Sequence, residues 1–177
     1  MKNLLTSFAA CAILISCSNK NSETSSANTA AAQQNLDAVH NIRKAFETGD
    51  TSLINRSVAE GFTDHKDGQD VTGIDSLKSF VLASHQHIKN LQVEPIKELA
   101  DDEYVMSWVR FSGTGDGQVG TMQGDFDVRG VQITKFKNGK ATEHWEAMDM
   151  RDVARMVDKM TTADNSSLPD SIQNLNK

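Results

Sequence analysis

A chain of 177 residues with 24 acidic against 18 basic side chains, a formal charge of −6 and no basic cluster lacks the positive surface that follows a phosphate backbone. No nucleic acid is expected as a partner. Both cysteines, Cys11 and Cys17, fall in the first stretch of the chain, so no disulfide framework supports the fold.

Residues 1–17 read as a processing segment: Lys2 supplies a positive start, residues 4–15 an apolar run, and Leu14-Ile15-Ser16-Cys17 resembles the lipobox of bacterial lipoproteins. The run is too short to span a bilayer comfortably. The resemblance implies cleavage before Cys17, acylation of its thiol and a membrane-anchored location in the cell envelope; an ordinary secretory signal is the alternative. Residues 18–32, rich in Ser, Asn, Thr and Ala, read as a flexible tether, and residues 161–177, broken by Pro169, as a loose tail. Residues 33–160 remain, enough for one domain with one core.

Within that domain, Leu36, Val39, Ile42 and Phe46 recur at helical spacing, and Gly49 is placed to end the helix. A short second helix buries Leu53, Ile54 and Val58. Residues 61–68 are turn-rich and are expected as a loop, with Asp64 and His65 either on the surface or at the mouth of a cavity. Ile74, Leu77, Val81 and Ile88 predict a third helix over residues 74–88.

After Asn90 the pattern changes to strands. Leu91 and Val93 begin one that Pro95 marks as an edge or an end, with residues 96–100 continuing it. Over residues 104–112, Val105, Ser107, Val109 and Phe111 oppose Met106, Trp108 and Arg110; which set lines the interior is open, and Trp108 is kept as a candidate binding residue. A glycine-rich turn leads to a strand ending near Phe136. Asn138-Gly139 then suits a type I′ hairpin turn, where both central residues need positive φ. A short helix over residues 151–160 closes the domain. Helices first and strands after predict an α+β fold with a curved, mostly antiparallel sheet and a pocket between sheet and helices.

On the second strand of the hairpin, Ala141, Glu143, Trp145 and Ala147 alternate with Thr142, His144, Glu146 and Met148. Either the His144 and Glu146 face is solvated, or it brings an imidazole and a carboxylate about 7 Å apart into one cavity. In the second case Glu146 and His144 are the candidate catalytic pair, with Gln132, His65, Trp145, Trp108 and Met148 as candidate binding residues. The glycines from Gly115 to Gly120 match G-x-G-x-x-G, but a strand rather than a helix is expected to follow, so the segment reads as a flexible turn. His85 and His87 diverge by roughly 200° on a helix and do not chelate one metal. No metal or other cofactor is expected.

The run Gly139-Lys140 followed by Glu143-His144-Trp145 and Asp149, with Phe46-Glu47-Thr48-Gly49-Asp50 and Asp64-His65 before it, resembles the SnoaL-like polyketide cyclase (ester cyclase) family of the NTF2-like superfamily. The resemblance covers residues 36–160. It implies a cone-shaped α+β barrel with about three N-terminal helices inside a curved sheet, a deep pocket for a small apolar ligand, and frequent homodimerisation through the sheet. It also implies that Glu146 occupies the general acid/base position of an intramolecular aldol cyclase, and that Gln132 stands where the family carries an assisting histidine. Non-catalytic binding and protein-interaction roles are the alternatives.

Overall fold

The computed structural model describes residues 29–66, 69–120 and 122–166, the side chains up to residue 159. The processing segment, Cys17, most of the expected tether and the end of the tail lie outside these residues.

Helix α1 (Ala30–Thr48) starts before the expected Gln33, because the Thr29 side chain accepts the Ala32 amide as an N-cap and three alanines follow. Gly49, at φ 73°, takes the left-handed conformation that closes it. Helix α2 (Ser52–Ser57) buries Leu53 and Ile54, and Val58 passes into the next element. That element is strand β1 (Val58–Lys66), where a loop was expected, followed by β2 (Gln69–Thr72). Turn-forming residues mislead here because β1 is held by distant partners: Asp64 and His65 pair in parallel with His144 and Trp145.

Helix α3 (Ile74–His87) leads into β3 (Ile88–Ala100), with a register shift between Pro95 and Lys97 where the missing amide would sit. Strands β4 (Tyr104–Asp116), β5 (Gln123–Lys137) and β6 (Lys140–Met148) complete an antiparallel meander. Asn138 and Gly139 have φ of 54° and 71°, as a type I′ turn requires. Helix α4 (Met150–Ser166) runs past Met160 into the segment expected as tail.

The sheet order is β2-β1-β6-β5-β4-β3, antiparallel except for β1 with β6. The α+β class and the curved, mostly antiparallel sheet wrapped around helices are as expected; the sheet is open, with β2 and β3 as its edges. Helix α1 packs against β3, β4 and β6, α3 against β1 and β3, and α4 against β5.

Two apolar clusters form on the inner face. One gathers Val39, Ile54, Phe62, Val81, Val105 and Phe136; the other gathers Ile88, Val109, Phe111, Phe126, Val128 and Met156. The glycine-rich turn is more than a flexible connection, since its Val119 is buried in the second cluster. A bulge also changes the face of one hairpin residue. The register shifts between Lys135 and Phe136, Thr142 is the extra residue, and Ala141 is turned into the core instead of joining Glu143 and Trp145 outside.

Candidate functional site

A cavity of about 130 Å³ lies between the two clusters, walled by Val39, Phe46, Leu77, Phe80, Phe111 and Val119, among others. Its polar groups come from the sheet and from α1, and cross-strand register orders them in rows. Glu98, Ser107, Gln132 and Glu146 are consecutive partners across β3, β4, β5 and β6. Two residues along, Asp64, His144, Thr134 and Val105 are consecutive partners across β1, β6, β5 and β4. The row on the other side is Val109, Gly130 and Met148, which is apolar. Polarity is therefore concentrated at one end of the cavity.

In the first row the Gln132 amide donates to a Glu146 carboxylate oxygen at 2.8 Å. A neutral amide, rather than a cation, holds this carboxylate. In the second row His144 Nδ1 lies 2.8 Å from Asp64 Oδ1, both side chains being 19% exposed. A carboxylate partner selects the tautomer protonated at Nδ1, which leaves Nε2 as the ring's acceptor. Glu146, His144, Gln132 and Met148 thus line the cavity, the second of the two placements that the sequence left open for this face.

The other three candidates do not reach it. Trp108 is 45% exposed on the outer face of β4, because its buried neighbours Ser107 and Val109 take the inner positions. Trp145 lies between His144 and Glu146 on β6 and therefore points outward. His65, next to Asp64 on β1, does the same and stacks on Trp145 at 4.7 Å. On this outer face His65 Nδ1 meets Asp70 at 2.7 Å and Nε2 meets Glu143 at 3.4 Å. The hydrogen bond to Asp70, reinforced by Glu143, raises the His65 pKa against the effect of burial.

Sequence reasoning passed over Arg43, although its place four residues after Val39 and three before Phe46 sets it on the apolar stripe of α1. It is buried, and its Nη2 donates to Glu98 Oε1 and Ser107 Oγ, both at 2.7 Å. Burial pushes the Glu98 carboxyl up, but hydrogen bonds from Arg43 and His40 outweigh that effect and hold it below the usual range. Nε and Nη1 of Arg43 are buried without a partner. An unpaired buried donor costs about 1–3 kcal/mol, and more when charged. Lys66, also at the cavity wall, rests its ammonium over the Phe80 ring at 4.4 Å.

The histidines of α3 point to separate partners: His85 meets the Glu47 carbonyl and His87 meets Asp116. Among the described residues no group of three or more His, Cys, Asp or Glu side chains is gathered to hold a metal. With Asp64, Arg43 and Lys66 also on its wall, the cavity presents the Glu146 carboxylate, an imidazole with a fixed tautomer and a neutral amide, groups able to accept, pass on and orient protons.

Comparison with known proteins agrees with this architecture. The family model described as SnoaL-like polyketide cyclase matches residues 36–156. No curated protein matches the chain. A candidate SnoaL-like polyketide cyclase of Jannaschia sp. CCS1 is similar at 19% identity and TM-score 0.63, over 80% of this chain and 97% of its own. An LEH-like epoxide hydrolase of M. tuberculosis is similar at 12% identity and TM-score 0.60, over 72% and 86%. A protein of Catenulispora acidiphila with a ketosteroid isomerase-like fold, solved with trimethylamine, is similar at 16% identity and TM-score 0.56, over 68% and 91%. At these identities the likeness shows the fold alone.

Proposed function

Because the chain belongs to the SnoaL-like polyketide cyclase family, we propose that its pocket binds a small, largely apolar molecule and that Glu146 acts on it as a cofactor-independent general acid/base. The observation that carries this reading is the setting of Glu146: on a mainly apolar cavity, with Gln132 rather than a cation as its partner. A carboxylate committed to a salt bridge would be spent on structure. A pocket filled by its own side chains would favour a protein-interaction role, and here about 130 Å³ is left open.

In the proposed reaction Glu146 takes a proton from the carbon next to a carbonyl, leaving an enolate. The enolate either regains a proton at another carbon or adds to a second carbonyl, and His144 exchanges the proton through Nε2. Gln132, unable to carry a proton at neutral pH, holds the base in place instead of sharing its work. The test is exchange of the α-hydrogens of cyclic ketones in deuterated buffer, followed by NMR. Exchange that falls to background in Glu146→Gln supports the base. Exchange that survives the substitution removes it, and binding without exchange leaves a carrier rather than an enzyme.

The Leu14-Ile15-Ser16-Cys17 run supports a lipid anchor on Cys17 and a place in the cell envelope. Cys17→Ser should then shift the protein from the membrane fraction to the soluble one. Met106, Trp108 and Val131, each more than 40% exposed on the outer sheet face, support a homodimer through that face.

A further inference from the structure

The apolar space continues beyond the cavity that Glu146 faces. Where β1 and β2 meet α3 there is a second recess of about 130 Å³, lined by Phe62, Asp64, Lys66, Leu77 and Phe80 together with Val71 and the turn before α3. The first five of these residues also line the first cavity. The two spaces are therefore neighbours across a single wall.

Cross-strand register shows where the recess opens. Asp64 pairs with Val71 directly across β1 and β2, so the two share a face, and Asp64 is on the inner face with His144. Val71 is thus an apolar side chain turned inward, yet it is 46% exposed, whereas Val105 and Val109 on the same face of the sheet are buried. Covering such surface is favourable, and here the chain leaves it uncovered.

The wall between the spaces is firm in one part and loose in another. Phe62 and Leu77 are buried, and Asp64 is held by His144 at 2.8 Å. The other two members meet each other, the exposed Lys66 placing its ammonium 4.4 Å from the centre of the Phe80 ring. A cation–π contact at an exposed site is weak, so a ligand can displace it. Charge and hydrogen bonding decide what the recess takes. Its walls carry one positive and one negative group, Lys66 and Asp64, and its one hydroxyl, Ser76 Oγ, already donates to the Thr72 carbonyl at 3.0 Å. Neither a net charge nor an uncommitted hydroxyl is left to select a polar partner.

The structure assigns the recess to an apolar arm of the ligand whose carbonyl part lies in the cavity beside Glu146. An apolar cavity of roughly 150 Å³ holds benzene, so each space suits one ring or a short chain. The ligand is then a neutral ring ketone with an alkyl or aryl arm. This assignment rests on the pocket reading above and adds the ligand's shape.

The experiment uses the purified full-length chain. Dissociation constants are measured by NMR titration for cyclohexanone, for the tighter-binding of 3- and 4-butylcyclohexanone, and for 4-(4-oxocyclohexyl)butanoate, whose arm ends in a carboxylate. A buried methylene is worth about fourfold in affinity, so the butyl arm should gain about tenfold or more over the bare ring. Val71→Thr, which keeps the shape but puts a hydroxyl in place of a methyl, should cut that gain by about threefold or more. In the wild type the Val71 methyl resonances should move with the butyl ketone and stay fixed with cyclohexanone, which decides the matter if the variant folds poorly. The carboxylate arm should bind more weakly than the butyl arm.

A butyl gain below about twofold, a gain that Val71→Thr leaves intact, or Val71 methyls that stay fixed with the butyl ketone overturns the assignment, while cyclohexanone exchange that depends on Glu146 keeps the pocket reading. Tighter binding of the carboxylate arm overturns the apolar arm in favour of an anion held by Lys66. If no ketone binds and no α-hydrogen exchanges, the pocket reading falls and the assignment with it.

Discussion

Gly130→Ala tests the packing of the inner sheet face at its tightest point. Gly130 is the inward residue of β5 between Val109 and Met148. A Cβ added there would lie 3.0 Å from the Ala147 carbonyl oxygen, 3.0 Å from Met148 Sδ and 3.5 Å from the Phe111 ring. Two effects compete. Overpacking of this kind costs about 1–3 kcal/mol, while replacing glycine by alanine narrows the unfolded ensemble and returns about 0.4–1 kcal/mol. Because one of the close neighbours is backbone, the clash should win, leaving a net loss of about 1–2 kcal/mol. For a domain of this size that lowers Tm by roughly 4–8 °C. Thermal unfolding followed by circular dichroism reads the shift directly, and the same substitution in a Met148→Ala background should cost about half as much, since the sulfur contact is gone. A Tm that stays level or rises would show that the row of Val109, Gly130 and Met148 is loosely packed, which refutes the close contacts to Ala147 and Met148.

Other expectations follow from the outer face. His65 has a raised folded pKa, so its cluster adds stability below the unfolded value of about 6.5 and loses that contribution as pH rises through the folded value. The Tm gap between wild type and His65→Gln should therefore be wide near pH 6 and narrow at pH 9; a gap independent of pH would contradict the pairing with Asp70 and Glu143. Asp152, held well below the usual carboxylate range by Arg129, works in the opposite direction. Its contribution is present above about pH 4 and fades on acidification, so the difference between wild type and Asp152→Asn should shrink as pH falls. If the exposed sheet face carries a dimer, Trp108→Glu should convert the sedimentation profile to that of a monomer, whereas an unchanged profile would place the dimer elsewhere or remove it.

The hairpin and the meander were legible because their signals are local. Asn138-Gly139 fixed a turn, and strict alternation from Val105 to Phe111 fixed two faces. The same rule of parity, applied throughout, would have kept Trp145 out of the cavity, since it sits between two residues that line it. Asp64 and His65 are separated by the same argument once β1 is known to be a strand. That strand was not legible, because its hydrogen bonds go to β6 far along the chain, and nothing in the glycine and aspartate composition of residues 61–68 announces a distant partner. Ala141 was misplaced for a different reason: a bulge changes parity without leaving a mark in the sequence. Arg43 was hidden by its charge, which made a residue on the buried stripe of α1 look like one on the solvent side.

The parallel pairing of β1 with β6 also fixes an order of assembly. Strands β3 to β6 follow one another and can pair through short connections, so Gln132 meets Glu146 within a hairpin. Asp64 reaches His144 only by closing a loop of 80 residues, and such closures are the slow part of folding. The meander should therefore gain hydrogen-exchange protection first, with Gln132 and Glu146 already in contact, while the His144 imidazole waits for β1 to give it a tautomer. A folding chain would hold one of the cavity's two polar pairs before the strand that completes the other has docked.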